Sequence, residues 1–137
     1  MAQAAGVGRD PTATILLVED EKLVRDLAQY VLEVAGHRVV TARTGDEALR
    51  LARSVPDGVD LLISDVSMPG MSGQDLATSL REEFPGLRVL LISGYIPPQT
   101  EIRGDVHFLG KPFTPDQLAA RVSQILSAPA NRPTNSR

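Results

Sequence analysis

The chain has no cysteine and no tryptophan, and its 137 residues include only two histidines, His37 and His107. The absence of cysteine excludes disulfide bonds, thiolate nucleophiles and zinc sites with thiolate ligands. Two histidines are too few for a histidine-rich metal site. Aromatic residues form 4% of the chain, which argues against a surface on which nucleic-acid bases stack.

The net charge is small, and long apolar runs are absent. The formal net charge is −3, so the sequence predicts no basic surface of the kind that binds nucleic acid. No apolar run reaches the length of about 18 residues that a membrane-spanning helix needs. The first ten residues lack the apolar segment of a secretory signal. We therefore expect a cytoplasmic protein that binds neither nucleic acid nor membrane.

The length and composition suit one domain with one hydrophobic core. Hydrophobic residues make up 42% of the chain, which is ordinary for a soluble fold. Residues 1–13 and 127–137 are rich in small and polar residues and are expected to be flexible tails. The folded domain is therefore predicted over residues 14–126.

Short apolar runs alternate with amphipathic stretches through this domain. The runs that we interpret as buried strands are TILLV (14–18), His37–Ala42, LLIS (61–64), RVLLIS (88–93) and VHFLG (106–110). The predicted helices extend over Glu21–Ala35, from Thr44 to Val55, from Ser72 to Phe84 and from Thr114 to Ser127. The sequences TGDE (44–47) and TPDQ (114–117) match the capping-box pattern. This alternation predicts an α/β fold, with a doubly wound parallel sheet of five strands and helices on both faces.

Polar residues stand at the ends of four of these strands. Glu19 and Asp20 follow the first strand, Asp65 follows the third, Ser93 ends the fourth and Lys111 follows the fifth. In doubly wound sheets the carboxyl ends of the strands lie along one edge, where ligands bind. We therefore expect these side chains to meet at that edge.

Neighbouring carboxylates repel one another at neutral pH unless a cation binds between them. A ligand set made only of oxygen atoms favours Mg²⁺, with Asp20 and Asp65 as direct ligands and Glu19 as a direct or water-mediated one. A carboxylate beside Mg²⁺ can attack phosphorus and form an acyl phosphate. Lys111 and Ser93 would then contact phosphoryl oxygens. The residues thus predict a phosphoryl-transfer site.

Four motifs resemble those of the receiver domains of two-component response regulators. They are LLVEDE (16–21), LLISDVSMPGMSG (61–73), LLISGY (90–95) and FLGKPF (108–113). The resemblance extends over about residues 14–126 and implies a flavodoxin-like sheet with strand order 2-1-3-4-5. SGY together with FLGKPF is similar to receivers at the C-terminal end of hybrid histidine kinases.

The resemblance implies roles for the acidic residues. It implies that Asp65 is the phosphorylated residue and that Mg²⁺ is held by Glu19, Asp20, Asp65 and the backbone carbonyl of Ser67. The acidic pair is Glu-Asp, where Asp-Asp is common in the family.

Other roles are implied for residues near the last two strands. Ser93 matches the hydroxyl residue that turns toward the phosphoryl group, and Phe108 matches the aromatic residue that turns inward with it. Lys111 matches the family's lysine, and Pro112 matches a proline that often follows a cis bond. The segment Gly94–Asp105 contains two prolines, so the helix that the family has there is expected to be short or irregular.

The implied partners are a histidine kinase or a histidine phosphotransfer protein, and a downstream protein. The chain is expected to be a signalling switch rather than an enzyme, as a monomer or weak dimer, either alone or as a piece of a hybrid kinase. A receiver that binds partners without phosphorylation remains an alternative. A phosphatase similar to haloacid dehalogenases is a further alternative, although such enzymes have a second acid where this chain has Ser67.

Overall fold

The computed structural model describes residues 12–94 and 106–128. Its elements, in chain order, are β1 (Thr14–Val18), α1 (Lys22–Val34), β2 (Arg38–Ala42), α2 (Gly45–Ser54), β3 (Leu61–Asp65), α3 (Gly73–Glu83), β4 (Arg88–Ser93), β5 (Val106–Gly110) and α4 (Pro115–Ser127). Every predicted strand and helix in the described ranges is present, with ends that differ by a residue at most. The predicted irregular helix lies in Gly94–Asp105, of which residues 95–105 are outside the described residues.

The five strands form one parallel sheet in the order β2-β1-β3-β4-β5. This confirms the predicted order 2-1-3-4-5. Because all the strands are parallel, their carboxyl ends lie along a single edge. The register pairs at that edge are Val18–Ala42, Val18–Ser64, Asp65–Ile92 and Ser93–Gly110.

Both faces of the sheet are covered by helices, as predicted. On β1, Ile15 and Leu17 belong to the core that packs against α1 and α4, whereas Leu16 and Val18 belong to the core that packs against α2 and α3. All four side chains are at most 2% exposed, which explains why the strand has no polar alternation. Full burial of a leucine or isoleucine side chain stabilises a fold by about 1.5–3 kcal/mol.

Three helices begin at hydroxyl caps. The side chains of Thr44, Ser72 and Thr114 each accept a hydrogen bond from a backbone N–H of the first turn. Thr114 forms the complete capping box that TPDQ predicts. The box predicted for TGDE is wrong in its second bond, because the Glu47 carboxylate accepts from the N–H of Arg43 rather than from that of Thr44.

The helix α1 differs from the others in two respects. It begins without a side-chain cap, and it leaves a stripe of large apolar residues in solvent. Leu23, Leu27, Tyr30 and Val34 are 83%, 51%, 67% and 68% exposed. The helix ends before Gly36, whose φ of 104° lies in the left-handed region that glycine adopts without strain. Among the described residues, no helix combines the length and apolarity needed to cross a membrane.

Candidate functional site

Three carboxylates meet at the carboxyl edge of the sheet. Glu19, Asp20 and Asp65 each offer a carboxylate oxygen, and these oxygens lie within 4.8 Å of one another. They are brought together because β1 and β3 are hydrogen-bonded neighbours that end at the same level. Glu19 is 4% exposed and Asp65 is 6% exposed, whereas Asp20 is open to solvent. Two of the three negative charges are therefore largely removed from water.

Asp65 receives hydrogen bonds at both carboxylate oxygens. The ammonium of Lys111 lies 2.7 Å from Oδ2, and the backbone N–H of Ser67 donates to Oδ1 at 3.1 Å. The Lys111 backbone N–H in turn donates to the carbonyl of Ser93, at 2.9 Å. The bond between Lys111 and Pro112 is cis, as the resemblance implies.

Among the described residues, the pKa shifts that are resolved belong to Glu19 and Lys111, both in this cluster. Burial raises the pKa of Glu19, the N–H of Glu21 lowers it, and the charge of Asp65 raises it further, with a net upward shift. Burial alone would lower the pKa of Lys111, but the hydrogen bond and charge of Asp65 raise it overall. The site therefore disfavours ionisation of Glu19 and favours the positive charge of Lys111.

The remaining predicted site residues lie on β4, on β5 and in the loop after β3. Ser93 is the last residue of β4, is partly buried and pairs with Gly110 of β5. Ser67 is exposed in the loop after β3. Phe108 is partly buried and packs against the core beneath α2 and α3. The roles of Ser67 as a metal ligand and of Ser93 and Phe108 in switching stay predictions.

Sequence reasoning missed contacts that shape the site. The Arg25 guanidinium donates to the backbone carbonyl of Glu19 at 2.9 Å, and the Glu21 N–H donates to the Glu19 carboxylate at 3.0 Å. Gly73 begins α3 against the acceptor strand, so that a Cβ there would collide with the backbone carbonyl of Asp65. Of these residues, only Gly73 could have been singled out from the sequence, because it is the last residue of the motif at 61–73.

The donor set fits a hard divalent cation. Carboxylate and carbonyl oxygens are the ligands that Mg²⁺ takes in proteins, usually from only one or two carboxylates, and its remaining positions are filled by water or phosphate oxygens. Burial, and to a smaller extent the charge of Asp65, raises the pKa of Glu19, and a bound cation would favour its ionised form. Glu19, Asp20 and Asp65 could therefore hold such an ion with sites left for a phosphoryl group.

An apolar groove of about 560 Å³ begins beside the acidic cluster. It lies between α1 and the segment that joins β5 to α4. Its polar end is formed by Glu21 and by Lys111, whose ammonium also contacts Asp65. The apolar lining consists of Leu23, Val24, Leu27, Ala28, Val31, Pro112, Phe113 and Leu118.

Known proteins match this chain over most of its length. The family model described as response regulator receiver domain matches residues 15–123. Sensor kinase CckA of Brucella abortus (strain 2308) is 38% identical over 119 residues, which are 84% of this chain and 13% of that kinase. The alkaline phosphatase synthesis transcriptional regulatory protein PhoP of Bacillus subtilis is 33% identical over 82% of this chain and 48% of its own length. The chain thus spans less than half of either relative.

Among solved structures, the receiver domain of the hybrid histidine kinase CckA is 42% identical, with a TM-score of 0.73 over 83% of this chain and 99% of that domain. The response regulator TrrA of Thermotoga maritima, solved in complex with Mg²⁺ and BeF, is 30% identical, with a TM-score of 0.73 over 84% of this chain and all of that one. The sheet order, the acidic edge and these matches lead to one conclusion. The chain belongs to the response-regulator receiver domains of two-component signalling systems.

Proposed function

We propose that Asp65 accepts a phosphoryl group from a phosphohistidine of a partner protein. The observation that carries this proposal is the position of Asp65, a carboxylate that faces two other acids and an ammonium at the ligand-binding edge of the sheet. The alternative of a purely phosphorylation-independent receiver is less well supported, because every charged residue that the reaction needs is present at that edge.

In the proposed reaction an oxygen of the Asp65 carboxylate attacks phosphorus. A bond forms between that oxygen and phosphorus as the bond from phosphorus to the imidazole nitrogen breaks. The electron pair of the broken bond stays with the imidazole, which takes up a proton and leaves as neutral histidine. The product on this chain is an acyl phosphate at residue 65.

Glu19, Asp20, Asp65 and the backbone carbonyl of Ser67 would hold Mg²⁺, which when bound supplies positive charge to the transferred phosphoryl oxygens. The ammonium of Lys111 lies 2.7 Å from Asp65 and can contact a phosphoryl oxygen after a small movement. The similarity to TrrA, which was solved with Mg²⁺ and BeF, supports this assignment.

The partner's docking surface is proposed to be the exposed stripe of α1 and the groove beside it. Leu23, Leu27, Tyr30 and Val34 are spaced by four, three and four residues, which is the spacing of a helix-packing seam. The groove ends at Lys111, which contacts the proposed acceptor. A helix seated on this surface would therefore have one end beside Asp65.

Charge at the edge of the stripe indicates the kind of partner. Asp26 and Glu33, both exposed, directly precede the stripe residues Leu27 and Val34. Asp26 is already paired with Lys22, which precedes Leu23, so Glu33 is the acid at this edge that a partner's cation would meet. A helix with an apolar seam and a lysine or arginine placed to reach Glu33 would complement this surface. We assign this role to a helix of the phosphodonor, a histidine kinase or a histidine phosphotransfer protein.

Phosphorylation would act by adding about −1.5 to −2 of charge at the carboxyl edge. Ser93 and Phe108 are proposed to respond, because Ser93 ends the strand next to Asp65 and Phe108 lies on the strand next to Ser93. The resulting surface would be recognised by a downstream protein. We place the functional domain at residues 14–126 of a cytoplasmic protein, and the match to CckA favours an origin in a hybrid kinase.

The test is incubation with acetyl phosphate and Mg²⁺, followed by intact-mass measurement. One added phosphoryl group is expected, and it should be absent with Asp65→Asn and when the cation is chelated. Exposed Asp57, changed to asparagine, is the matched control and should leave phosphorylation unchanged. Continuous release of phosphate from simple phosphate esters would instead favour a phosphatase.

A further inference from the structure

Glu19 is held by hydrogen bonds at three of its atoms. Its backbone N–H donates to the carbonyl of Ala42 at 3.1 Å, and its carboxylate accepts from the Glu21 N–H at 3.0 Å. Its backbone carbonyl accepts from Nη1 of Arg25 at 2.9 Å. The first two partners are backbone groups, whereas the third is a charged side chain that reaches back from the first turns of α1.

The hydrogen bond from Arg25 to Glu19 spans the short loop between β1 and α1, and this loop contains the acidic residues Glu19 and Asp20. Only residues 19–21 lie between β1 and α1, and α1 begins without a side-chain cap. The loop that presents Glu19 and Asp20 therefore has few side-chain restraints of its own. Arg25 is partly buried, and its hydrogen bond is charge-assisted, which makes it stronger than one between neutral groups.

We infer that Arg25 is a positioning residue for the cation-binding acids. By fixing the Glu19 carbonyl, it holds the 19–21 connection so that both acidic side chains face Asp65. The inference rests on the proposed function, because it assigns Arg25 to the cation site of that reaction. Partners that orient metal ligands from outside the ligand set change metal affinity by roughly 10- to 100-fold when they are removed.

Two simpler roles for Arg25 predict different results. If the guanidinium acted only as a nearby positive charge, its removal would strengthen cation binding, because the acidic cluster would lose a repelling neighbour for the cation. If it only stabilised α1, its removal would lower the free energy of unfolding and leave the cation affinity of the folded protein unchanged. Only the positioning role predicts that a variant without Arg25 still folds but binds the cation more weakly.

The experiment is a Mg²⁺ titration followed by the NMR amide shifts of Asp65 and Ser67, with chemical unfolding measured on the same samples. Arg25→Gln is expected to raise the Kd for Mg²⁺ by about 10-fold. Arg25→Lys, which keeps the charge on a shorter arm, should fall between the wild type and Arg25→Gln. Arg53→Gln is the matched control, since Arg53 pairs with Glu83 on the opposite face of the sheet, and it should leave the Kd unchanged.

A Kd for Arg25→Gln that equals or falls below that of the wild type would overturn the inference. If Arg25→Gln does not fold, Arg25→Lys decides, and a wild-type Kd in that variant overturns the inference. If the wild type itself binds no Mg²⁺, the proposed function fails together with this inference. A wild type that binds Mg²⁺ and accepts a phosphoryl group, with an Arg25→Gln that binds equally well, removes only the role of Arg25.

Discussion

The ammonium of Lys111 lies 2.7 Å from Oδ2 of Asp65, although the two residues are 46 positions apart in the chain. Asp65 ends β3 and Lys111 directly follows β5, and these two strands are not neighbours in the sheet. The contact exists because β3 and β5 are parallel and end at the same edge, with β4 between them. Asp65 is 7% exposed in its side chain and Lys111 is 34% exposed, so the pair is partly desolvated. Loss of either partner would leave the other charge poorly compensated.

Replacement of this lysine should separate phosphorylation from its structural consequence. We expect Lys111→Ala to bind Mg²⁺ at least as well as the wild type, because its side chain is not among the proposed ligands and its positive charge repels the cation. After phosphorylation, however, no ammonium would contact the phosphoryl oxygen, and the NMR shifts of Ser93 and Phe108 should stay near their unphosphorylated values. Lys22→Ala, which breaks an exposed pair with Asp26, is the control. Wild-type shift changes in phosphorylated Lys111→Ala would contradict this role.

Glu19 should lower the stability of the cation-free protein at neutral pH. Burial raises its pKa in the folded state, so ionised Glu19 disfavours folding at neutral pH. The penalty shrinks as the pH falls below the raised pKa and is gone below the ordinary pKa of 4.5. Glu19→Gln should therefore unfold at higher urea concentration than the wild type at pH 7, with the difference shrinking in acid. Saturating Mg²⁺ should reverse the order, because the variant loses a ligand.

Urea unfolding at pH 7 and at acidic pH, with and without Mg²⁺, measures both effects. Glu82→Gln changes an exposed carboxylate on α3 and serves as the control. A lower stability of cation-free Glu19→Gln at pH 7 would contradict this reading of the Glu19 environment.

A side chain at position 73 should disturb the acceptor strand directly. The Cβ of Gly73→Ala would collide with the backbone carbonyl of Asp65 and also approach Ser64 Oγ, to 3.0 Å. We expect a loss of about 1–3 kcal/mol in the free energy of unfolding, as for overpacked sites, and slower phosphorylation by acetyl phosphate. Gly86→Ala is the matched control, because a Cβ there meets nothing within 4 Å. Equal effects of the two substitutions would show that contact with Asp65 is not the cause.

The exposed stripe of α1 should matter for a protein donor and not for a small one. Leu23 is 83% exposed, so Leu23→Gln should leave the stability almost unchanged. It should lower the rate of transfer from a phosphorylated histidine phosphotransfer protein by about 10-fold or more, as expected for a buried interface anchor. The rate with acetyl phosphate should not change. Thr78→Gln on α3 is the control, and an equal loss with both donors would contradict the assigned surface.

Much of the site could be predicted from the sequence, because its polar residues directly follow apolar runs that form strands. Asp65 and Lys111 could be brought together from the sequence because parallel strands end at one edge, while the strand order came from the family resemblance. Sequence periodicity located α1 correctly but did not show which side is buried. Leu23 is as apolar as Leu32, yet the first is exposed and the second is buried. That difference depends on how the helix lies on the sheet, which is a tertiary property.

The hydrogen bond of Arg25 was also not predictable from the sequence, for a related reason. Its acceptor is the backbone carbonyl of Glu19. Because every residue has a backbone carbonyl, the sequence does not show which one a side chain will contact. The partner of Glu47 was missed similarly, since Arg43 and Thr44 offer equivalent N–H groups and local backbone direction decides between them. Strand ends and capping hydroxyls are visible in a sequence because side-chain chemistry defines them.

Direct localisation of the transferred group tests the central claim most sharply. The protein would be phosphorylated in the presence of Mg²⁺ and then treated with borohydride, which reduces an acyl phosphate of aspartate to homoserine. Peptide mass analysis is predicted to find homoserine at position 65 alone, and only in samples that received phosphodonor. An unreduced Asp65 in phosphorylated protein, or a phosphoryl group located on another residue, would contradict the account.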